Sequence, residues 1–282
     1  MTGESVQSGG QGIEIAKTCM EARMSGRGPQ KLWSNYRDFS AQRGELVADI
    51  LEKHLPLAGA TLLDAGCGSG AIATALARRS ARVIAVDIAG EQPSDETIHW
   101  RRQPVETLEL NGVCDAVILW DVLEHLGDPA AGVMALARDL KPGGLLLLAT
   151  PNRLSWINAL GDPHYGLPLL ALLRRAQVRR IVAGWLKWHR PDKPDFPELL
   201  SLSRIAQILA TAGFDWRFIQ RQVYDAALQN PHGVWNRNWH LRLMKGIIKI
   251  NLDRPLRRMV SDRSGWMNRF TMPTFFILAR KR

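Results

Sequence analysis

Three groups of residues combine side-chain type and spacing in ways that could do chemistry. The first is Asp64, Gly66, Gly68, Gly70 and Asp87, all within TLLDAGCGSGAIATALARRSARVIAVDIAG, residues 61–90. Glycines let a backbone turn tightly and approach a ligand closely, because no β-carbon stands in the way. An acid closing the following strand, about 20 residues on, sits where a ribose diol can hydrogen-bond to it. The second group is Asp121, Glu124 and His125, two carboxylates and an imidazole directly after the apolar run Cys114–Trp120. Imidazole changes charge near neutral pH and so suits proton transfer. The third is His164 with Tyr165, in the most individual stretch of the chain, NALGDPHYGLP at 158–168.

Positioning these residues requires particular elements. Thr61–Leu63 is a short apolar run, Ala71–Arg79 is built of good helix formers, and Val83–Val86 is a second apolar run closed by Asp87. Strand, glycine loop, helix, strand and acid make one βαβ unit, with the loop at the carboxyl end of the first strand. A glycine triplet alone would also fit a generic tight turn; the complete frame is far more specific. The order Gly66-Cys67-Gly68-Ser69-Gly70 differs from the G-x-G-x-x-G of dinucleotide sites. Further along, a helix is expected over Glu45–Leu55 and a third strand over Thr97–Arg101. Cys114–Trp120 reads as a buried strand, Ala130–Leu140 as a helix, Lys141–Gly144 as a turn and Leu145–Ala149 as a strand. Ser203–Ala212 reads as an amphipathic helix, and Gly213–Val223 and Thr274–Arg280 as the last two strands.

The segment DAGCGSG resembles motif I of the class I S-adenosylmethionine-dependent methyltransferases. The block from WDVLEHLGDP to LKPGGLLLLATPNR extends the likeness, which is greatest to the quinone-biosynthesis O-methyltransferase branch over residues 40–155. The resemblance implies an α/β fold: a Rossmann-like, doubly wound, seven-stranded sheet of order 3-2-1-4-5-7-6 with strand 7 antiparallel. It implies S-adenosyl-L-methionine as cofactor, with the glycine loop and Asp64 beside its methionine part, and Asp87 and Ile88 at the ribose. Arg43 stands where that branch uses an arginine to hold the cofactor, although a solvated surface charge would look the same. Val105 and Glu106 fall where the adenine is clamped. Trp120, at a strand end, either flanks the cofactor or packs in the core.

Methyl transfer from a sulfonium is an in-line displacement, so the protein has mainly to align and desolvate the reactants. A phenol or catechol acceptor must also lose its proton, which calls for a general base or a metal ion. His125, assisted by Glu124, is the leading base. In the quinone O-methyltransferase pattern the segment reads acid-x-x-Glu-His and can bind a divalent cation such as Mg. Asp121, Glu124 and His125 match it, Asp121 being one carbon shorter than glutamate. A structural role for Glu124 and His125 is the other reading. His164 and Tyr165 are expected at the substrate.

The 282 residues, 46% of them hydrophobic, suffice for one large α/β domain. Residues 1–12 read as a flexible tail and 13–282 as the domain, with helical insertions at 154–200, a lid over the strand ends, and at 225–270. No secretory signal is recognised at the start. Three cysteines without ligand spacing, Cys19, Cys67 and Cys114, point to a reducing, cytoplasmic compartment and argue against a disulfide or zinc framework. Cys67 reads as a small side chain filling the loop rather than a nucleophile.

Charge is unevenly distributed. Residues 1–150 carry 14 Lys and Arg against 19 Asp and Glu, residues 151–282 carry 23 against 8, and seven of the ten tryptophans lie in the second part. A basic, Trp-rich half suits an anionic partner surface, either lipid headgroups or nucleic acid. At helical spacing Val178, Ile181, Val182, Trp185 and Trp188 share a face opposite Arg179, Arg180 and Lys187. Trp239, Leu243, Ile247 and Ile250 share another, edged by Arg242, Lys245 and Lys249. Such faces suit helices lying in a membrane surface, or simply packing on the sheet; charges interrupt every apolar run short of a span. The acceptor is therefore expected to be a small or lipid-linked molecule, a quinone precursor or a lipid-linked glycan, met at the inner face of the cell membrane. RNA methylation is the rival, disfavoured because no RNA-binding module or Asn-Pro-Pro-Tyr-type motif is present. A non-catalytic scaffold that keeps the cofactor fold is a third reading.

Overall fold

A computed structural model describes residues 36–89, 92–186, 196–234, 242, 246, 248–251 and 253–282. The expected tail at 1–12, and Trp188, Lys187, Trp239, Leu243, Lys245 and Ile247 of the two amphipathic faces, lie outside the described residues.

The sheet contains β1 (Thr61–Ala65), β2 (Arg82–Asp87), β3 (His99–Arg102), β4 (Cys114–Trp120), β5 (Leu140–Pro151), β6 (Phe214–Phe218) and β7 (Thr274–Lys281). Their order is β3-β2-β1-β4-β5-β7-β6, as the resemblance implied. β1 to β5 are parallel, and β7 runs antiparallel to both β5 and β6. The central strands are apolar on both faces because helices cover both. Alternation sends Leu63, Val117 and Leu148 to one core, shared with Ile205 and Leu209 of α6 (Leu202–Thr211). Leu62, Ile118 and Leu147 go to the other, shared with α1 (Tyr36–Glu52) and α2 (Ala71–Ala77). On the first side α3 (Pro129–Asp139) packs through Val133 and Leu136; its start is capped by Asp128, whose side chain accepts from Ala130 N and Ala131 N.

Two expected elements differ. Lys141–Gly144 do not reverse the chain: Cys114 pairs with Leu140 and Ala116 with Leu145, so KPGG is a bulge inside β5, with Gly143 at φ 75°. The strand expected over Gly213–Val223 ends at Phe218, and Gln220–Gln229 forms α7. There the Gln220 side chain donates to Thr274 O at 2.8 Å. Val223, Ala226 and Ala227, spaced for a helix, are buried. Burial at helical spacing outweighs the β-branched appearance of the segment.

Between β5 and α6 lie α4 (Trp156–Leu160), α5 (Arg175–Arg179) and a π-helical continuation, Arg180–Trp185. Here Leu170, Val178 and Val182 form a small core of their own, with Tyr165, Ile181 and Phe196 packed around it. Between α7 and β7 lie α8 (Asp253–Met259) and α9 (Trp266–Phe270). Among the described residues no helix is long and apolar enough to cross a membrane.

Candidate active site

Both functional halves sit at the carboxyl ends of the parallel strands. In the first half, Gly66 N and Cys67 N donate to Val86 O at 2.7 and 3.0 Å, so the glycine loop is anchored on β2 as it leaves β1. Gly66 has φ 78°, and a β-carbon there would run into the Val122 side chain. At Gly68, with φ 52°, a β-carbon would meet nothing, so the loop presents open backbone to the cleft. Asp87 spans loop and strand: Oδ2 accepts from Gly68 N and Oδ1 from Ala89 N, both at 2.8 Å. Ile88 beside it is 66% exposed, a large apolar side chain left uncovered at the strand end.

Asp64 faces inward. Its buried Oδ2 accepts from Ala73 N at 3.0 Å, tying the first turn of α2 to β1. Burial raises its carboxyl to about 7, the Ala73 hydrogen bond opposing and the Asp87 charge adding. Asp64 therefore shapes the loop from beneath. The Cys67 thiol is held far above its ordinary pKa by burial, then by Asp64 and Asp87, which makes it inert packing.

The second half begins at Asp121, held at φ 55° immediately after β4, a conformation that aspartate tolerates better than most residues. Its N–H still donates to Ala149 O at 2.9 Å, so the chain leaves the sheet abruptly at this residue. Its carboxylate accepts from Arg43 Nη1 at 3.0 Å, and the Arg43 guanidinium lies 4.4 Å above the Phe39 ring. Arg43 thus links α1 to the end of β4. Trp120 is nearly buried, its ring 5.4 Å from that of Phe276. Val105 is buried in the core, while Glu106 Oε1 accepts from Gly127 N at 2.9 Å and holds the loop after β4.

Glu124 is fully buried. Thr150 Oγ1, at the end of β5, donates to its Oε2 at 2.9 Å, whereas Oε1 is buried with no hydrogen-bond partner. Burial, with the Asp121 charge adding and His125 opposing, raises this carboxyl to about 7. His164 Nε2 lies 3.9 Å from that Oε1, and the His125 and His164 rings meet edge to face at 5.1 Å. Glu124, His125 and His164 form a group whose ligand atoms all lie within 4.8 Å of one another. The structure therefore brings His164 to Glu124 and His125, and puts the Asp121 carboxylate on Arg43. Tyr165 packs against the Leu170 cluster of the lid.

Several positioning residues were missed in the sequence. Asp162, nearly buried, accepts from His164 N at 2.9 Å and Tyr165 N at 2.8 Å, and its Oδ1 is 4.0 Å from His164 Nδ1. Burial raises its carboxyl as well. The Asp-Pro start of DPHYG was a readable turn signal. Arg175 Nη2 donates to Leu126 O at 2.6 Å and Glu124 O at 3.2 Å, and Glu198 N donates to Glu124 O at 2.9 Å. At the root of the lid, Asn152 Nδ2 donates to Asn268 O, Arg269 O and Met272 O, and Asn158 Nδ2 to Asn152 O and Pro273 O. Two cavities of about 450 and 300 Å³ lie elsewhere; residues such as Trp266 line the first and His54 the second, and none of the candidate site residues lines either.

A seven-stranded sheet in this order, with a glycine loop and a strand-closing acid at its carboxyl edge, defines the S-adenosylmethionine-dependent methyltransferase fold. Two solved structures share it at a TM-score of 0.52. One is a putative S-adenosylmethionine dependent methyltransferase from Listeria monocytogenes, 13% identical, covering 85% of this chain and 98% of that one. The other is an S-adenosylmethionine dependent methyltransferase from Mesorhizobium loti, 15% identical, covering 83% and 96%. The model of the methyltransferase domain family matches residues 39–217, and the chain belongs to that family. Similar sequences include the ubiquinone biosynthesis O-methyltransferases of Xanthomonas oryzae pv. oryzae, 43% identical over 116 residues, and Xylella fastidiosa, 42% identical over 116. Each match covers 37% of this chain, and the chain spans about half the length of those relatives, 48% and 47%.

Proposed function

We propose that this methyltransferase transfers the methyl group of S-adenosylmethionine to a hydroxyl of a lipophilic acceptor met at an anionic membrane surface. The residues present fit the donor. Gly68 offers open backbone, and Asp87 offers a carboxylate that accepts from the backbone N–H groups of Gly68 and Ala89, with which a ribose diol would compete. When bound, the donor supplies an activated methyl group. The chain's own part is to hold its sugar through Asp87, to exclude water with the lid, and to remove the acceptor's proton.

Proton removal falls to the cluster at the ends of β4 and β5, with His125 as the base and Glu124 behind it. The observation that carries the reading is this placement: His125, Glu124 and the lid's His164 converge at the same edge of the sheet as the glycine loop. Relatives named for O-methylation in ubiquinone biosynthesis favour an oxygen acceptor, with a quinone precursor as its class.

The membrane part rests on the lid's outer surface. Trp156 (53% exposed), Leu160 (69%), Leu169 (62%) and Trp185 (85%) are uncovered, and Arg174, Arg179 and Arg180 are exposed on the same segment. Apolar anchors edged by cations match an interfacial surface. The test is mass spectrometry of lipid extracts from cells with and without the gene, seeking a species heavier by one methylene, together with co-sedimentation on anionic liposomes. A methylated tRNA in place of a methylated lipid would overturn the proposal.

A further inference from the structure

Mg is a poor match to the residues at the end of β4. Magnesium takes oxygen ligands in near-octahedral geometry. Here the first acid of the motif is engaged, Asp121 with Arg43 at 3.0 Å, and the group that does converge holds two imidazoles and one carboxylate. The geometry points to a different centre: Glu124, His125 and His164 form a site for one borderline divalent ion of the zinc class, with its third ligand supplied by the lid. This concerns the same site as the reading above, rests on that reading only for the metal's role in the reaction, and replaces its assignment of His125 as base.

Four observations support the assignment. Glu124 Oε1 is a fully buried acceptor with no hydrogen-bond partner, a state costly for a carboxylate unless a cation takes the oxygen. That oxygen faces His164 Nε2 at 3.9 Å, too long for a hydrogen bond. The ligand atoms lie within 4.8 Å of one another. Metal–ligand bonds of 2.0–2.1 Å place tetrahedral ligands ~3.3 Å apart, so movements on the order of 1 Å close the set. Finally, two of the three ligands have a polar neighbour behind them: Thr150 Oγ1 donates to the far oxygen of Glu124, and Asp162 Oδ1 lies 4.0 Å from His164 Nδ1. Carboxylates behind ligating histidines fix their orientation and basicity. Two imidazoles with one carboxylate, leaving a fourth position open, suit zinc-class ions.

Two consequences follow. The acceptor hydroxyl would occupy the open position and lose its proton to water at neutral pH, with His125 serving as ligand in place of base. The ion would also fasten the lid to the end of β4, because His164 belongs to the lid.

The experiment strips the full chain with chelator, reloads it with Zn(II), Co(II) or Mg(II), and measures retained metal per chain and the Co(II) visible spectrum. Limited proteolysis of the lid is followed alongside. We expect one Zn or Co per chain, intense tetrahedral Co(II) bands, metal-dependent protection of the lid, and no such effect of Mg. His164→Ala should weaken Zn binding roughly 100-fold or more and Asp162→Asn about tenfold, while Asp121→Asn keeps it. No retained metal in the wild-type chain, or equal affinity in His164→Ala, overturns the proposal. So does full activity of the metal-free enzyme, which leaves His125 as base. Calorimetric titration with S-adenosylmethionine on the same preparation tests the donor site separately, so failure of that reading is distinguishable.

Discussion

The proposed donor side and the proposed acceptor side of the sheet's carboxyl edge are built in opposite ways. On the donor side the hydrogen bonds that shape the loop are short in sequence: Asp64 to Ala73, Gly68 to Asp87, Gly66 to Val86. One βαβ unit suffices, and on the proposed reading its backbone would do the recognising. The acceptor side draws Glu124 from after β4, Thr150 from the end of β5 and His164 from the lid, and holds the lid through Arg175, Glu198 and Asn152. The first side is a motif, whereas the second is an assembly. On the proposed roles, the difference means that a site for a fixed donor is compact and local, while a site for a variable acceptor is assembled from distant segments.

The comparison can be broken most sharply at His125. His125→Ala should lower kcat by about 10² to 10⁴ with donor affinity within about twofold, measured by methyl incorporation and calorimetry. Parallel loss of donor binding would mean that the two sides are not separable. Asp87→Ala should do the reverse: loss of charged hydrogen bonds to the ribose, about 1.5–3 kcal/mol, raises the donor Kd roughly 10- to 100-fold, leaving kcat at saturation less affected.

Asp64 sharpens the comparison through pH. Its folded carboxyl, at about 7, stands above its ordinary 3.8, so the folded state binds the extra proton between those values. Its contribution to stability is complete below the lower value and is lost as pH rises through the upper one, with a slope approaching about 1.4 kcal/mol per pH unit for one proton. Chemical denaturation from pH 4 to 8 should show this slope reduced in Asp64→Asn. The smallest effect is expected from Trp185→Ala on the lid. Binding to anionic liposomes should fall a few-fold, as expected for one interfacial anchor among several, with no change in melting temperature because the side chain is 85% exposed.

Legibility in the sequence followed the same division. The glycine loop, Asp87 and the order of the first strands could be read because local pattern and local structure coincide there. The bulge at Lys141–Gly144 looked like a turn, since glycine and proline serve both. The end of β6 was overrun because Arg221 to Val223 suit a strand until the burial of Val223, Ala226 and Ala227 is known. Arg43 and Asp121 were each singled out, but their pairing across 78 residues has no local signature. The same holds for His164: its type and neighbourhood were visible, whereas its approach to Glu124 depends on the turn set by Asp162 and on the lid's anchorage. Part of the face expected around Val178 packs within the lid's own core, and Trp185 alone among its described members is fully uncovered.

The Asn152 side chain has an implication for chimeras. Its single amide nitrogen serves three carbonyls of the 268–272 stretch, and Asn158 adds a fourth, Pro273 O. The stretches 152–158 and 268–273 are therefore one structural part rather than two. Exchanging the first stretch between relatives without its companion before β7 would leave those carbonyls without their donors, so a graft intended to change acceptor preference has to carry both pieces together.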